Sequence, residues 1–99
     1  MIVVIDVGSQ GYSMSVDEVN NFGSLAVRPT AAVANSLEAA VSELGAGHLD
    51  GDHLWIEIDG LRDRGPKNVE WREKFTKMID FADQHGWVDG GRRVRAHIE

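Results

Sequence analysis

Residues 2–17 read IVVIDVGSQGYSMSVD, and this stretch decides how the sheet begins. Residues 2–7 are apolar at nearly every position and rich in β-branched side chains, which is typical of a central strand covered on both sides. The glycines of the GSQG segment indicate a turn. Apolar and polar residues then alternate over residues 12–17, which predicts a second strand with one face toward the core.

The remainder of the chain predicts further strands that alternate with two helices. The two helices are predicted from apolar positions that recur at helical spacing and from residues that favour helix ends. The predicted elements are a strand at 24–28 that completes a three-stranded meander, a helix from an N-cap at Thr30 to a stop at Gly45, a loop at 46–52, a strand at 53–59, a helix from an N-cap at Asn68 to a stop at Gly86, and a strand at 92–98.

This order, β-β-β-α-β-α-β, predicts an α/β (α+β) fold. The simplest architecture is a single mixed β-sheet of about five strands with both helices packed on it. No repeat, low-complexity tract or linker divides the sequence, so residues 1–99 are predicted to form a single domain. Trp71 and Trp87 are expected in its core.

Charge is distributed unevenly along the chain, whose net charge is −6. The first 60 residues contain nine acidic residues and one basic residue, whereas the remainder contains nine basic and seven acidic residues. An acidic body repels a phosphate backbone, which argues against a nucleic-acid partner. The asymmetry favours a basic protein partner or head-to-tail self-association.

Composition also limits the chemistry and the location. The sequence has no cysteine, which excludes disulfides, thiolate zinc sites and thiol nucleophiles. No apolar run approaches the ~20 residues of a membrane helix, and no charged leader precedes the first apolar run. These features predict a soluble, cytoplasmic protein with no membrane partner.

The first hairpin resembles the start of sugar kinases and actin-like ATPases, in which a strand–Asp–Gly hairpin lines a metal–phosphate site. The order of elements also resembles a ribonuclease-H-type core, in which carboxylates on the first strand, first helix and fourth strand converge. That resemblance implies a divalent-metal site of Asp6, Glu38 (or Glu43) and Asp59, since several oxygens would surround the ions. It covers only a strand and its turn, so the metal site is the alternative hypothesis.

Residues 48–53, HLDGDH, are a second candidate for metal binding. They place two imidazoles and two carboxylates in six residues, and these are ligands for zinc or manganese. The spacing matches no ligand pattern, and it is not an EF-hand loop. A solvated turn before a strand explains the same residues.

Trp55, Glu57 and Asp59 share one face of the predicted strand at 53–59. If no helix covers that face, Trp55 is an exposed aromatic residue in a partner-binding patch; if a helix covers it, Trp55 belongs to the core. Glu57 and Arg95 are candidate cross-strand partners, so the predicted interaction patch is Trp55, Glu57 and Arg95. Arg95 also belongs to the first of two basic clusters, which are Arg92, Arg93 and Arg95, and Arg62, Arg64 and Lys67. These clusters either hold an anion or are solvated charges on edge strands.

Two functional hypotheses remain, from different classes. The first is a non-catalytic binding or protein-interaction module without a cofactor, such as a homodimer joined through an edge strand or through the Trp55 face. The second is a small enzyme or divalent-metal-binding protein with carboxylates at strand ends. The sequence contains no Gly-x-Ser-x-Gly elbow and no phosphate-binding loop with Gly-Lys-Ser/Thr. The first hypothesis is therefore preferred.

Overall fold

A computed structural model describes residues 1–99. Seven strands and three helices follow one another as β1 (Ile2–Gly8), β2 (Gly11–Asp17), β3 (Ala26–Pro29), α1 (Leu37–Leu44), β4 (Gly47–Asp50), β5 (His53–Glu57), α2 (Ile58–Asp63), α3 (Val69–Gln84), β6 (Val88–Asp89) and β7 (Arg93–Ile98).

All seven strands belong to one mixed sheet, in the order β2-β1-β3-β7-β5-β4, with β6 also paired to β7. Strand β3 runs parallel to both β1 and β7, and the other pairs are antiparallel. The predicted α+β class and the single mixed sheet are confirmed. The predicted number of strands and helices is too small, because β4, β6 and the short α2 were not expected.

The first three strands do not form the predicted meander. Strands β1 and β2 pair as a hairpin, but β3 pairs with the opposite edge of β1 and runs parallel to it. Residues 18–25 carry the chain back to the start of β1, where the Ala26 N–H donates to the Met1 carbonyl at 3.1 Å. Strand β3 thereby lies inside the sheet, with its buried Val27 in the core.

Helix α1 begins seven residues later than Thr30, the predicted N-cap. Thr30 is therefore not its cap, and the Thr30 hydroxyl donates to the Asp6 carboxylate at 2.7 Å. Residues 31–35 form turns that nevertheless bury Val33, and the helix starts at Leu37. The predicted stop is confirmed, since Gly45 has the left-handed φ of 61° that favours glycine.

Helix α3 begins where the sequence predicts. The Asn68 side chain accepts a hydrogen bond from the Trp71 N–H at 2.7 Å, as an N-cap should. One stripe of the helix then buries Trp71, Phe75 and Ala82. The helix ends at Gln84, next to the predicted stop at Gly86.

The predicted loop at 46–52 contains strand β4, which forms a hairpin with β5. Strand β5 is shorter than predicted, because residues 58 and 59 belong to α2. Ile58 still points inward, and it is buried together with Leu61 of α2. The alternation of residues 54, 56 and 58 predicted the buried face correctly but not the change to a helix.

The core is one cluster of 17 buried residues on one face of the sheet. The strands contribute one alternating set, with Val3 and Ile5 of β1, Leu54 and Ile56 of β5, and Val94 of β7 among them. Each helix adds buried side chains to this same cluster, so all three helices pack on that face. No helix is long and apolar enough to cross a membrane.

Candidate binding surface

The opposite face of the sheet has no helix over it, and we call it the uncovered face. Strand register places the other alternating set of residues there, and none of them is buried. Its residues are Ile2, Val4 and Asp6 of β1, Ser13, Ser15 and Asp17 of β2, Ala26 and Arg28 of β3, His48 and Asp50 of β4, His53, Trp55 and Glu57 of β5, and Arg93, Arg95 and His97 of β7.

Charge divides the uncovered face into two ends. The β1–β2 end carries Asp6 and Asp17 and no basic residue, whereas the β7–β5–β4 end carries Arg93, Arg95 and three histidines together with Asp50 and Glu57. Ile2 and Val4, both half-buried, lie on β1, and β3 between the two ends carries Ala26 and the exposed Arg28. The face therefore has an acidic end with an apolar pair beside it, and an end of mixed charge on which Arg95 has no carboxylate partner.

Trp55 lies on this face, half-buried, with neighbours on both adjacent strands. Its ring stacks on His48 of β4 with a centroid distance of 6.3 Å, and its Nε1 donates to the Asp50 carboxylate at 3.3 Å. On the other side, strand register places Arg95 directly opposite Trp55. Trp55 is thus not a core residue, and two of the three residues of the predicted patch lie side by side.

Glu57, the third residue of that patch, does not pair with Arg95 as predicted. Register places it opposite Arg93, and its carboxylate lies 3.2 Å from an Arg92 guanidinium nitrogen and 3.3 Å from one of Arg93. The predicted pairing was wrong because the sequence does not fix the register of β5 against β7. Two guanidinium groups therefore neutralise Glu57.

A groove of about 460 Å³ opens beside β7, and we call it the aromatic groove. Strand β3 pairs only with the end of β7 and β6 only with its beginning, so a gap remains between them. Helix α3 and the segment before β3 wall this gap. The apolar residues around it include Phe22, Leu25, Met78, Ile79, Phe81 and Trp87.

Trp87 forms the rim of the groove, not the core as predicted. Gly86 turns the chain with a φ of 76°, and the Trp87 N–H donates to the Ala82 carbonyl at 2.9 Å. The ring then stacks on His85, with centroids 4.7 Å apart, and remains 36% exposed. Phe81, 57% exposed, contacts both rings. Phe81 lies outside the buried stripe of α3, and an apolar residue at such a position is the sequence signal for the rim.

The ionisable residues of the aromatic groove are all basic. They are His53, Arg95 and His97, and the two imidazoles lie edge to face with centroids 5.7 Å apart. Arg95 is half-buried and its guanidinium makes no ion pair, whereas Arg28, Arg62, Arg92 and Arg93 each pair with a carboxylate. The groove therefore has an unneutralised cation next to an apolar cavity.

The residues of the predicted metal sites have separate surroundings. No group of three or more His, Asp or Glu side chains is placed to hold one metal ion. Asp59 lies in the first turn of α2, not at a strand end, and pairs with Arg62 at 2.9 Å; Glu38 is exposed in the first turn of α1. In the HLDGDH segment, His48 and His53 contact Trp55 and His97, respectively.

Asp6 is held by hydrogen bonds within the chain. The Thr30 hydroxyl and then the Val7 N–H, at 2.7 and 2.8 Å, lower the pKa of Asp6 below its usual value of 3.8. Because the folded state favours the charged carboxylate, this contribution to stability is present above the ordinary pKa. It is lost as the pH falls through the lowered pKa of the folded protein.

Thr30→Val should raise the pKa of Asp6 toward its ordinary value, because valine keeps the shape of threonine and removes the donor. The change is measured by following the Asp6 carboxyl carbon by NMR as the pH is lowered. Thr76→Val, on the exposed surface of α3, is the control and should leave this titration unchanged. An unaltered Asp6 titration in Thr30→Val would show that the hydroxyl has no influence.

Comparison with known proteins adds no relative. No family model, curated protein or solved structure matches the chain. The candidate surface therefore rests on the geometry of the uncovered face and the aromatic groove.

Proposed function

We propose that the protein is a non-catalytic interaction module that binds a protein partner through the uncovered face, and that a second copy of the chain is one such partner. The observation that carries this proposal is an uncovered face whose β1–β2 end is acidic and whose other end carries the unpaired Arg95 and three histidines. Two such faces related by a two-fold axis place each acidic end against the end of the partner that carries Arg95. Ile2, Val4 and Trp55 supply the apolar surface of this contact.

The lateral edges of the sheet are less suitable for association. Strand β2 is the longer edge strand, but the Arg64 side chain donates from Nε to the Met14 carbonyl of β2 at 3.1 Å. A second strand would have to displace this hydrogen bond before it could pair with β2. The other edge, β4, has only four residues. The uncovered face is thus a better contact surface than either edge.

Sedimentation equilibrium over a range of concentrations tests the proposal. The wild-type chain should show a monomer–dimer equilibrium that weakens as salt is added, since salt screens the charged ends. Trp55→Thr should weaken dimerisation at least about tenfold, because the largest aromatic residue of the face is removed while a β-former is retained. Val69→Thr, which alters a 72% exposed residue on α3, is the matched control.

Two results would contradict this proposal. One is a monomer at every concentration up to roughly millimolar, which places any self-association below a useful affinity. The other is dimerisation that Trp55→Thr leaves unchanged, which would place the contact on another surface.

A further inference from the structure

We infer that the aromatic groove binds a small amphiphilic carboxylate, whose apolar body enters the cavity and whose anionic group pairs with Arg95. This inference concerns a small-molecule site and does not require the proposed self-association, but its basic residues, His53, Arg95 and His97, also lie on the uncovered face. It rests on the cavity, on its basic residues and on the unpaired guanidinium described above.

The size and lining of the groove suit a small molecule. Its volume of about 460 Å³ lies within the usual range for ligand pockets. Leu25, Met78 and Ile79 present apolar surface along its walls, and the Phe81 and Trp87 rings stand at its rim. An alkyl or aryl group in this cavity would cover apolar surface that now faces water, which is favourable.

Charge selects an anion as the polar group of the ligand. Arg95 is the one arginine or lysine that lines the groove, and no carboxylate of the chain reaches it. A guanidinium binds a carboxylate through two parallel N–H donors, and these bonds are stronger than bonds between neutral groups. His53 and His97, next to Arg95 on the same side of the groove, can donate further hydrogen bonds to such an anion.

The single cation and the single cavity of the groove favour one small molecule over an acidic peptide. The groove offers one guanidinium and one continuous apolar cavity, which match one carboxylate and one apolar body. An acidic peptide would need several separated cations along an extended surface. The nearby arginines cannot supply them, because Arg92 and Arg93 are already paired with Glu57.

The inference is tested by titrating the isotopically labelled protein with decanoate, below its micelle concentration, and with decanol. These probes share the same alkyl chain and differ in charge. Decanoate should cause saturable shifts of the amide resonances of Leu25, Ala82 and Arg95. Its affinity should be at least about tenfold higher than that of decanol, because only decanoate forms the charge-assisted pair.

Four variants separate the contributions of the charge, the apolar rim and the dimer contact. Arg95→Gln should remove the preference for decanoate over decanol, whereas Arg72→Gln, which removes the same charge from another part of the surface, should preserve it. Phe81→Ser should weaken both probes, since it removes rim surface without opening the core. Trp55→Thr should not weaken decanoate binding, because Trp55 does not line the groove and a weaker dimer leaves Arg95 free for the probe.

Absence of saturable shifts with decanoate would overturn the inference. Equal affinities for the two probes would also overturn it, because a carboxylate would then have no partner. Shifts confined to residues outside the groove would mean that the probe binds at another site, and the inference would fail.

Discussion

Trp71→Ala should lower the free energy of unfolding by about 3–5 kcal/mol, a large part of the roughly 5–15 kcal/mol available to a small domain. The Trp71 ring is only 4% exposed and stacks on Phe75 with a centroid distance of 5.1 Å. Its Nε1 also donates to the Val19 carbonyl at 2.9 Å, which ties α3 to the segment between β2 and β3. Alanine would leave a cavity and remove this hydrogen bond.

Chemical denaturation measures the loss, and two variants help to interpret it. Phe81→Ala removes an aromatic side chain from the exposed surface of the same helix and should cost much less. Trp71→Phe retains most of the ring volume and removes the donor, so its cost combines the bond to Val19 with the lost part of the indole ring. Near-wild-type stability of Trp71→Ala would contradict the packing described for α3.

Gly47→Ala should be at least as damaging, with a cost of about 3 kcal/mol or more. Gly47 has a φ of 145°, which L side chains rarely adopt, and lies opposite Ile56 in the β4–β5 hairpin. A Cβ at this position would collide with the backbone carbonyl of Trp55. Since that carbonyl belongs to a central strand, the hairpin would have to separate to relieve the collision.

Gly51→Ala is the matched control for this prediction. Gly51 lies in the turn of the same hairpin and also has a positive φ, of 57°, but a Cβ there would meet no atom within 4 Å. Its replacement should cost only about 1 kcal/mol, from backbone strain alone. Thermal unfolding of the two variants measures the difference, and equal effects would show that the Trp55 carbonyl does not restrict position 47.

The strands and helix ends that the sequence predicted well are those that depend on local chemistry. Alternation over residues 12–17 indicates which side of β2 is buried, and Asn68 provides a side-chain acceptor at the start of α3. Gly45 ends α1 because glycine tolerates a left-handed φ at little cost. Each of these features is determined within a few residues of the chain.

The errors concern contacts between distant residues. Thr30 is a suitable residue for an N-cap, but the chain forms turns over residues 31–35 and the helix starts only at Leu37. The parallel pairing of β3 with β1 depends on the path of residues 18–25, which no local pattern specifies. Likewise, Glu57 and Arg95 have suitable charges for a pair, but the register of β5 and β7 places Arg93 opposite Glu57.

The candidate surface was predictable in part. Alternation placed Trp55 on a face whose covering the sequence left undecided, and the structure shows that no helix covers it. The aromatic groove was not predicted, because it arises where β3 and β6 each pair with only part of β7. A gap of that kind depends on the lengths and positions of three strands together.

The hydrogen bond from Arg64 to Met14 couples the state of α2 to the exposure of an edge strand. Arg64 is the C-cap residue of α2, so a local opening that frees the end of this helix also releases the Met14 carbonyl of β2. Such openings require less free energy than global unfolding. Resistance to aggregation through edge-strand pairing then depends on how often α2 detaches. Aggregation can therefore begin in molecules whose sheet and core are otherwise intact.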